Sequence, residues 1–386
     1  MSSPLPSTAD VVVVGAGIVG ACCAHFLADE GLDVLVLDRG AVSGGTTGAG
    51  EGNILVSDKD PGPELELALV SSNLWTELGD FIGEAAELEL KGGLIVATSE
   101  SSNAALVRRA RRQGLAGVDV VELTPNEARE HEPLLAAGLA GACMYPQDMQ
   151  VQPMLAASHL LAPRTRIGRV TVITQCEVKS VQLTQSGAIK AVVTSQGEVA
   201  TPLLVNAAGA WAGEVAKLAG VSLPILPRRG FILVTEPLPH VIHHKVYTAD
   251  YIDNVASDSA GLETSTVIEG TQGGPILIGS SRERVGFDRT PDWPVLAGLA
   301  ALAIAVFPFL ASVQLLRAYA GFRPYCPDHL PVIGPDPQIS GLFHACGHEG
   351  SGVSLAPVTG VLLAEAIMDR PTRVSLAPFL PGRFEK

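Results

Sequence analysis

Residues 15–20 read Gly15-Ala16-Gly17-Ile18-Val19-Gly20, a G-x-G-x-x-G turn. Gly15 permits the tight turn, Gly17 lets backbone approach a pyrophosphate, and Gly20 lets the following helix pack closely on its strand. Ile18 and Val19 open that helix, and its unpaired N–H groups face the anion. Asp38 follows Gly20 by 18 residues, at the end of the next apolar run, where an acid accepts a hydrogen bond from a ribose hydroxyl. A turn alone would explain the glycines. The complete strand, turn, helix, strand and acid predict dinucleotide binding.

Directly after the acid, residues 39–53 read RGAVSGGTTGAGEGN, with six glycines. A nicotinamide domain would continue with regular βαβ units, whereas this loop suits backbone laid against a flat ring system. Arg39, Thr46, Thr47, Gly50, Gly52 and Asn53 are therefore candidate cofactor contacts. Further along, Ala207-Ala208-Gly209-Ala210-Trp211 turns from a strand into a helix, which adds Ala207, Ala208, Gly209 and Trp211. A second Gly-rich helix start, Gly347-His348-Glu349-Gly350-Ser351-Gly352-Val353, adds Gly347, His348, Gly350, Ser351, Gly352 and Val353.

The elements that must position these residues are legible from periodicity. Strands are predicted at 10–14 and 33–37, with a helix between them running through Leu27 to a stop at Gly31. Residues 63–86 carry helical spacing, 88–98 read as a strand pair, and a polar helix near 101–113 carries Arg108, Arg109, Arg111 and Arg112 as a solvated face. Residues 166–200 alternate as strands. A second sheet is predicted from 225–235, 265–269 and 275–279, the last two joined through Gly273-Gly274.

Composition narrows the partners. Of 386 residues, 47% are apolar and 17% charged, which suits a compact enzyme of two domains. The net charge of -14 and the lack of a basic stripe disfavour nucleic acid. The six cysteines show no C-x-x-C spacing, so free thiols in a reducing cytoplasm are expected, and residues 1–9 fit neither a secretory signal nor a transit peptide. No charge occurs from Pro294 to Leu316. That run is Ala-rich and interrupted by Pro308, which favours a buried helix over a transmembrane span, although its lack of a polar face calls for a covering surface. His240, His243 and His244 lie near one another without a carboxylate or cysteine at ligand spacing, so no metal site is expected.

The motifs jointly resemble the FAD-dependent amine and D-amino-acid oxidoreductases, the family of glycine oxidase, sarcosine oxidase and D-amino-acid dehydrogenase. The likeness rests on VVGAGIVG at 13–20, LDR at 37–39, SGGTT at 43–47, NAAGAW at 206–211, PRRG at 227–230, IGSSRE at 278–283, AGFRP at 320–324 and GHEGSG at 347–352. GHEGSGV and PRRGF are most similar to catalytic subunits of D-hydroxyproline dehydrogenase, opine oxidase and hydrogen cyanide synthase. Such enzymes commonly work beside redox partner subunits, which implies a hetero-oligomer; a homo-oligomer is the alternative.

The resemblance implies an α/β chain, α+β overall. A Rossmann-like FAD-binding domain (1–86, 146–222 and 318–386) intertwines with an antiparallel-sheet substrate domain (87–145 and 223–317). It also implies hydride transfer to FAD from a small amino acid or amine, and cofactor contacts from Val178 and Gly321. Arg323 matches the arginine that pairs with the substrate carboxylate and also adjoins the cofactor; a structural arginine bonded to loop carbonyls is the other reading. His348 is a candidate for tuning the flavin or the substrate amine, or a hydrogen-bonded turn residue. Tyr251 matches a substrate-facing tyrosine, with Tyr247 competing for the role. The N-terminus of the helix at 350–353 is expected to stabilise the negative charge of the reduced flavin. Gly321, not Cys326, falls where related enzymes attach flavin covalently, so the FAD is expected to be noncovalent. Glu349 and Gly350 depart from the glycine oxidase pattern, so a different substrate preference is expected.

Overall fold

The computed structural model describes residues 4–162, 169–249 and 259–385, which leaves Tyr251 outside the described residues. Val11–Val14 is the centre of a six-stranded sheet. Its neighbours are Val34–Leu37 and then Val170–Ile173 on one side, and Leu203–Asn206, Leu342–Cys346 and Val332–Pro335 on the other. All these pairings are parallel except the last. A parallel sheet is covered on both faces, which is why its strands read as continuous apolar runs. Alternation divides them: Val11 and Val13 join one core with the helices Ile18–Asp29 and Gly352–Ile367, while Val12 and Val14 join another. That second core contains Val178, Ile189, Val192 and Val199 from a three-stranded antiparallel sheet and Ala212 and Ala216 from a short helix.

The helix Gly352–Ile367 carries a proline at position 357, in its interior. Proline has no N–H, so the carbonyl of Val353 loses its ordinary helical donor. The indole Nε1 of Trp75 donates to that carbonyl at 3.0 Å, and the hydroxyl of Ser71 donates to the next carbonyl, Ser354, at 2.6 Å. Both come from the neighbouring helix Pro63–Ile82, so the break in one helix is satisfied by the other.

An eight-stranded sheet forms the second layer. It runs Leu315–Tyr325, Leu226–Thr235, Ile276–Arg282, Glu263–Gly270, Lys245–Thr248, Gly93–Ala97, Gly141–Tyr145 and Val121–Leu123. The strand Leu315–Tyr325 pairs with Leu226–Thr235 across nearly its whole length. The sheet is antiparallel throughout except where the two separate chain segments meet, Lys245–Thr248 running parallel to Gly93–Ala97.

The apolar helix Trp293–Val306 spans 14 residues and packs Val295, Leu296, Leu299, Ala303 and Val306 onto the sheet, leaving Trp293 and Leu302 exposed. Glu349–Ile367 is the one described segment long and apolar enough to cross a membrane, and 67% of its most apolar window is buried inside the protein.

Arg109 was grouped with a solvated face, but it is buried, donating to Asp60 and to the carbonyl of Ser57. It borders a polar core centred on Asp148, which accepts from the backbone N–H of Val56 and from Ser57, whose hydroxyl also meets Tyr247. Burial pushes the Asp148 carboxyl up to about 7. A carboxyl raised in the folded state favours folding most below its unfolded pKa, and that contribution is lost as pH rises through the folded value. Asp148→Asn should therefore gain thermal stability relative to the parent as pH is raised from 4 to 8. Melting curves across that range check it, and a constant difference would refute it.

Candidate active site

The two layers meet at a cavity of about 510 Å³, well within the range for a small-molecule or cofactor site. Its first wall is the turn after Val11–Val14. Gly15 sits at φ +115°, and a Cβ there would stand 2.4 Å from the carbonyl oxygen of Ala207. A Cβ on Gly20 would stand 1.9 Å from the carbonyl oxygen of Gly15, so helix and turn touch through glycine alone. Asp38 is held from both sides, accepting from Ala16 N–H at 2.8 Å and Gly40 N–H at 2.7 Å. This fixes the carboxylate at the rim, with lone pairs remaining for a hydroxyl. The hydroxyl of Thr47 accepts from Ile18 N–H at 3.0 Å, tying the Gly-rich loop to the helix start. Beyond Asp38, the Arg39 guanidinium lies 4.4 Å from the ring centroid of Trp211, which stacks on Phe287.

The opposite wall is the eight-stranded sheet, hollowed by three glycines on adjacent strands. Cβ atoms on Gly321, Gly279 and Gly230 would press on the Ala49 carbonyl at 2.5 Å, on Glu51 Oε1 at 2.8 Å and on Arg323 Nη1 at 2.2 Å. Glycine at these positions admits the Gly-rich loop and the arginine together. Arg323 faces the cavity and donates from Nη1 to the Ser281 carbonyl at 2.8 Å. This arginine is thus anchored to a backbone carbonyl and also lines the pocket.

The structure gathers most of the residues singled out from the sequence around this one cavity: Gly15, Gly17, Ile18, Val19, Asp38, Arg39, Thr46, Thr47, Gly50, Asn53, Val178, Ala207, Ala208, Gly209, Trp211, Gly321, Arg323, His348, Gly350, Gly352 and Val353. Four expected contacts do not line it. Gly20 packs the helix on the turn, and Gly52 abuts the Val151 carbonyl, 1.7 Å from where its Cβ would stand. Gly347 adopts φ +74° to turn the chain, and the hydroxyl of Ser351 donates to Glu64 at 2.7 Å. These four support the wall from behind. Tyr247 is fully buried and does not line the cavity either.

His348 lines the cavity, yet burial pushes its pKa down to about 3. Its Nε2 lies 2.9 Å from the Thr359 hydroxyl, which spends its own hydrogen on the Leu355 carbonyl at 2.8 Å. The imidazole is therefore neutral with its proton on Nε2, a donor to Thr359. It is a poor acid at neutral pH, and only Nδ1 keeps a free lone pair.

Two buried carboxylates that line the cavity were missed. Glu349 is buried; desolvation raises its pKa, but His329 at 3.1 Å and the Arg228 guanidinium at 2.5 Å more than offset that and hold it below the usual range. Glu51 lies between Gly50 and Gly52, and burial pushes its carboxyl up, against the pull of Lys245 and Arg323. An acid flanked by glycines in a loop expected to wrap a ligand was the available signal. Nearby, Lys245 is committed to Glu269, which also accepts from Gly52 N–H at 3.0 Å. His244, read as part of a histidine group without a carboxylate partner, pairs with the buried Glu132 at 2.9 Å.

Residues 10–366 match the family described as FAD dependent oxidoreductase. The chain is 31% identical to hydrogen cyanide synthase subunit HcnC of Pseudomonas aeruginosa, over 98% of this chain and 97% of that protein. It is 30% identical to glycine oxidase of Geobacillus kaustophilus, over 96% of each. Among solved structures, glycine oxidase from Geobacillus kaustophilus superposes with a TM-score of 0.88 at 28% identity, covering 99% of this chain and 100% of that one. L-proline dehydrogenase from P. horikoshii superposes with a TM-score of 0.89 at 27% identity, covering 99% of each.

Proposed function

Because this chain belongs to the FAD dependent oxidoreductase family, we propose that it is a dehydrogenase for a D-amino acid or cyclic secondary amine of the D-proline and D-hydroxyproline type. The broader activity is that of an FAD-dependent oxidoreductase acting on carbon–nitrogen bonds of amino acids or amines. The observation that carries the carboxylate part of this reading is Arg323, anchored to the sheet and turned to the same cavity as the cofactor wall, and the D-imino-acid part follows the resemblance of GHEGSGV and PRRGF. A planar fork with five donors suits bidentate capture of a substrate carboxylate.

The residues present fit the cofactor. The helix start at Gly17–Val19 suits a pyrophosphate, Asp38 a ribose hydroxyl and the Gly350–Val353 helix start a negative charge on the ring system, and all of them line the one cavity. Bound there, FAD supplies the hydride acceptor. The protein then has three tasks: Arg323 orients the substrate carboxylate, the sheet wall excludes water, and the neutral His348 presents a lone pair at Nδ1. We expect the flavin to be noncovalent. Cys326 is buried, away from the cavity, with its thiol turned to Asp328 at 3.2 Å, while Gly321 lines the cavity without a nucleophile. Acid precipitation should release all the yellow colour to the supernatant, and colour retained in the pellet would contradict this.

All six cysteines are buried and unpaired, which supports a reducing cytoplasm as the compartment. The relative named as a synthase subunit supports a place beside redox partner subunits. Anaerobic bleaching of the bound flavin by cis-4-hydroxy-D-proline, D-proline, glycine, sarcosine and an opine tests the substrate. Selective bleaching by a D-imino acid is the expected result; selective bleaching by glycine or sarcosine with oxygen uptake would instead make it an oxidase of those amines.

A further inference from the structure

We propose that Glu51 is the residue that recognises the substrate's amine, so that the cavity grips an amino acid at both ends, the carboxylate on Arg323 and the nitrogen on Glu51 with Asn53. Glu51 and Asn53 line the same cavity as Arg323. Glu51 is 9% exposed, and its Oε2 accepts a hydrogen bond of 3.3 Å from Asn53 Nδ2. Its Oε1 and the Asn53 Oδ1 are both buried without a hydrogen-bond partner among the described residues.

An acceptor left unpaired in the interior costs about 1–3 kcal/mol, and more when it is charged. Two such acceptors on neighbouring residues, in a cavity built for a ligand, point to donors supplied by that ligand. The neighbouring protein groups do not fill this role. Lys245 is committed to Glu269, Glu269 also accepts from Gly52 N–H, and Arg323 is anchored on the Ser281 carbonyl. A protonated secondary amine carries two N–H donors and one positive charge, which matches one carboxylate oxygen and one amide oxygen. Arg323 supplies the opposite charge for a carboxylate. The complementary ligand is a zwitterionic amino or imino acid; a hydroxy acid or a simple carboxylate satisfies only half of the site.

This inference rests on the cavity being the substrate site. Its test uses the oxidised holoenzyme and two ligands that carry no hydrogen on the carboxylate-bearing carbon, with a flavin spectrum that shifts without bleaching as the sign of binding alone. These are 2-methylproline and 1-methylcyclopentanecarboxylate, which share ring and carboxylate and differ in the nitrogen. Binding is read from the perturbed visible spectrum of the flavin. The parent should prefer 2-methylproline by about tenfold or more, the range of a charged hydrogen bond. Glu51→Gln should lose that preference, with the nitrogen-free ligand bound within about twofold of the parent, as expected if the carboxylate site is untouched. Glu51→Asp should recover part of the preference, and flavin content and melting temperature of both variants report folding.

An unchanged preference in Glu51→Gln, or equal weakening of both ligands, overturns the role of Glu51 while leaving the substrate reading intact, provided an amino acid bleaches the parent flavin. A parent flavin that neither ligand perturbs and no amino acid or amine bleaches overturns both.

Discussion

Replacing Arg323 by leucine is expected to lower kcat/KM for the carboxylate-bearing substrate by about a thousandfold, the effect of roughly 4 kcal/mol from an unpaired buried charge. The flavin should stay bound. The substrate carboxylate would enter a cavity whose arginine has gone, leaving a desolvated anion beside Glu51 and its neighbour Glu269. Arg323→Lys should fall between, because a single ammonium keeps the charge but not the two parallel donors. Gly230→Ala should weaken the same step, since its Cβ would stand 2.2 Å from the Arg323 Nη1 and displace the guanidinium. Steady-state kinetics with D-proline and with pyrrolidine, which has no carboxylate, separate the two roles of the arginine. Loss confined to D-proline supports carboxylate capture; equal loss with both amines would mean that Arg323 only holds the Ser281 strand in place.

The second large effect is expected at Gly20. Its hydrogen faces the carbonyl oxygen of Gly15, and a methyl group there would stand 1.9 Å from that atom. Neither side can yield. Gly15 is held at φ +115° against the Ala207 carbonyl, and the helix Ile18–Asp29 is clamped by Gly352–Ile367, where Gly360 passes close over Cys22. Gly20→Ala should therefore cost about 3 kcal/mol, at the upper end for overpacking a filled interior. It should also tilt the helix start away from the pyrophosphate position, so that the purified protein carries little or no flavin. The ratio of visible to ultraviolet absorbance and a melting curve check both. Gly17→Ala should be milder for stability, because its Cβ would meet the Thr47 hydroxyl at 2.9 Å, the end of a side chain that can turn aside. A Gly20→Ala protein that melts like its parent and retains full flavin would show the crossing to be looser than this geometry.

The cofactor wall was legible because its signals are local. A positive φ at Gly15, a helix start after it and an acid closing the next strand all follow from residues near one another in the chain. The apolar run of Val11–Val14 likewise announced a strand buried on both faces, and the helix Ile18–Asp29 ends just before the expected stop at Gly31. Arg323 emerged only through resemblance, since nothing in AGFRP by itself distinguishes a ligand-facing arginine from one that caps a loop.

Other features depended on contacts between residues far apart. Arg109 looked like part of a solvated helix face, but the chain at Ser57–Asp60 folds over it. The strand Leu315–Tyr325 read as the start of a return to the first domain, and the register that keeps it in the eight-stranded sheet is set by Leu226–Thr235, about 90 residues earlier. Glu51 was one acid in a Gly-rich loop until Gly279, Gly230 and Gly321, on three different strands, made the hollow that buries it beside Arg323.

By itself, then, the sequence determined the dinucleotide wall, the alternation of layers and the class of cofactor, because backbone conformation, helix starts and strand periodicity are encoded over short stretches. Only the tertiary structure decided which charged groups share the cavity and which are already paired. Burial and charge pairing belong to the space between segments, and no short stretch of sequence contains both partners.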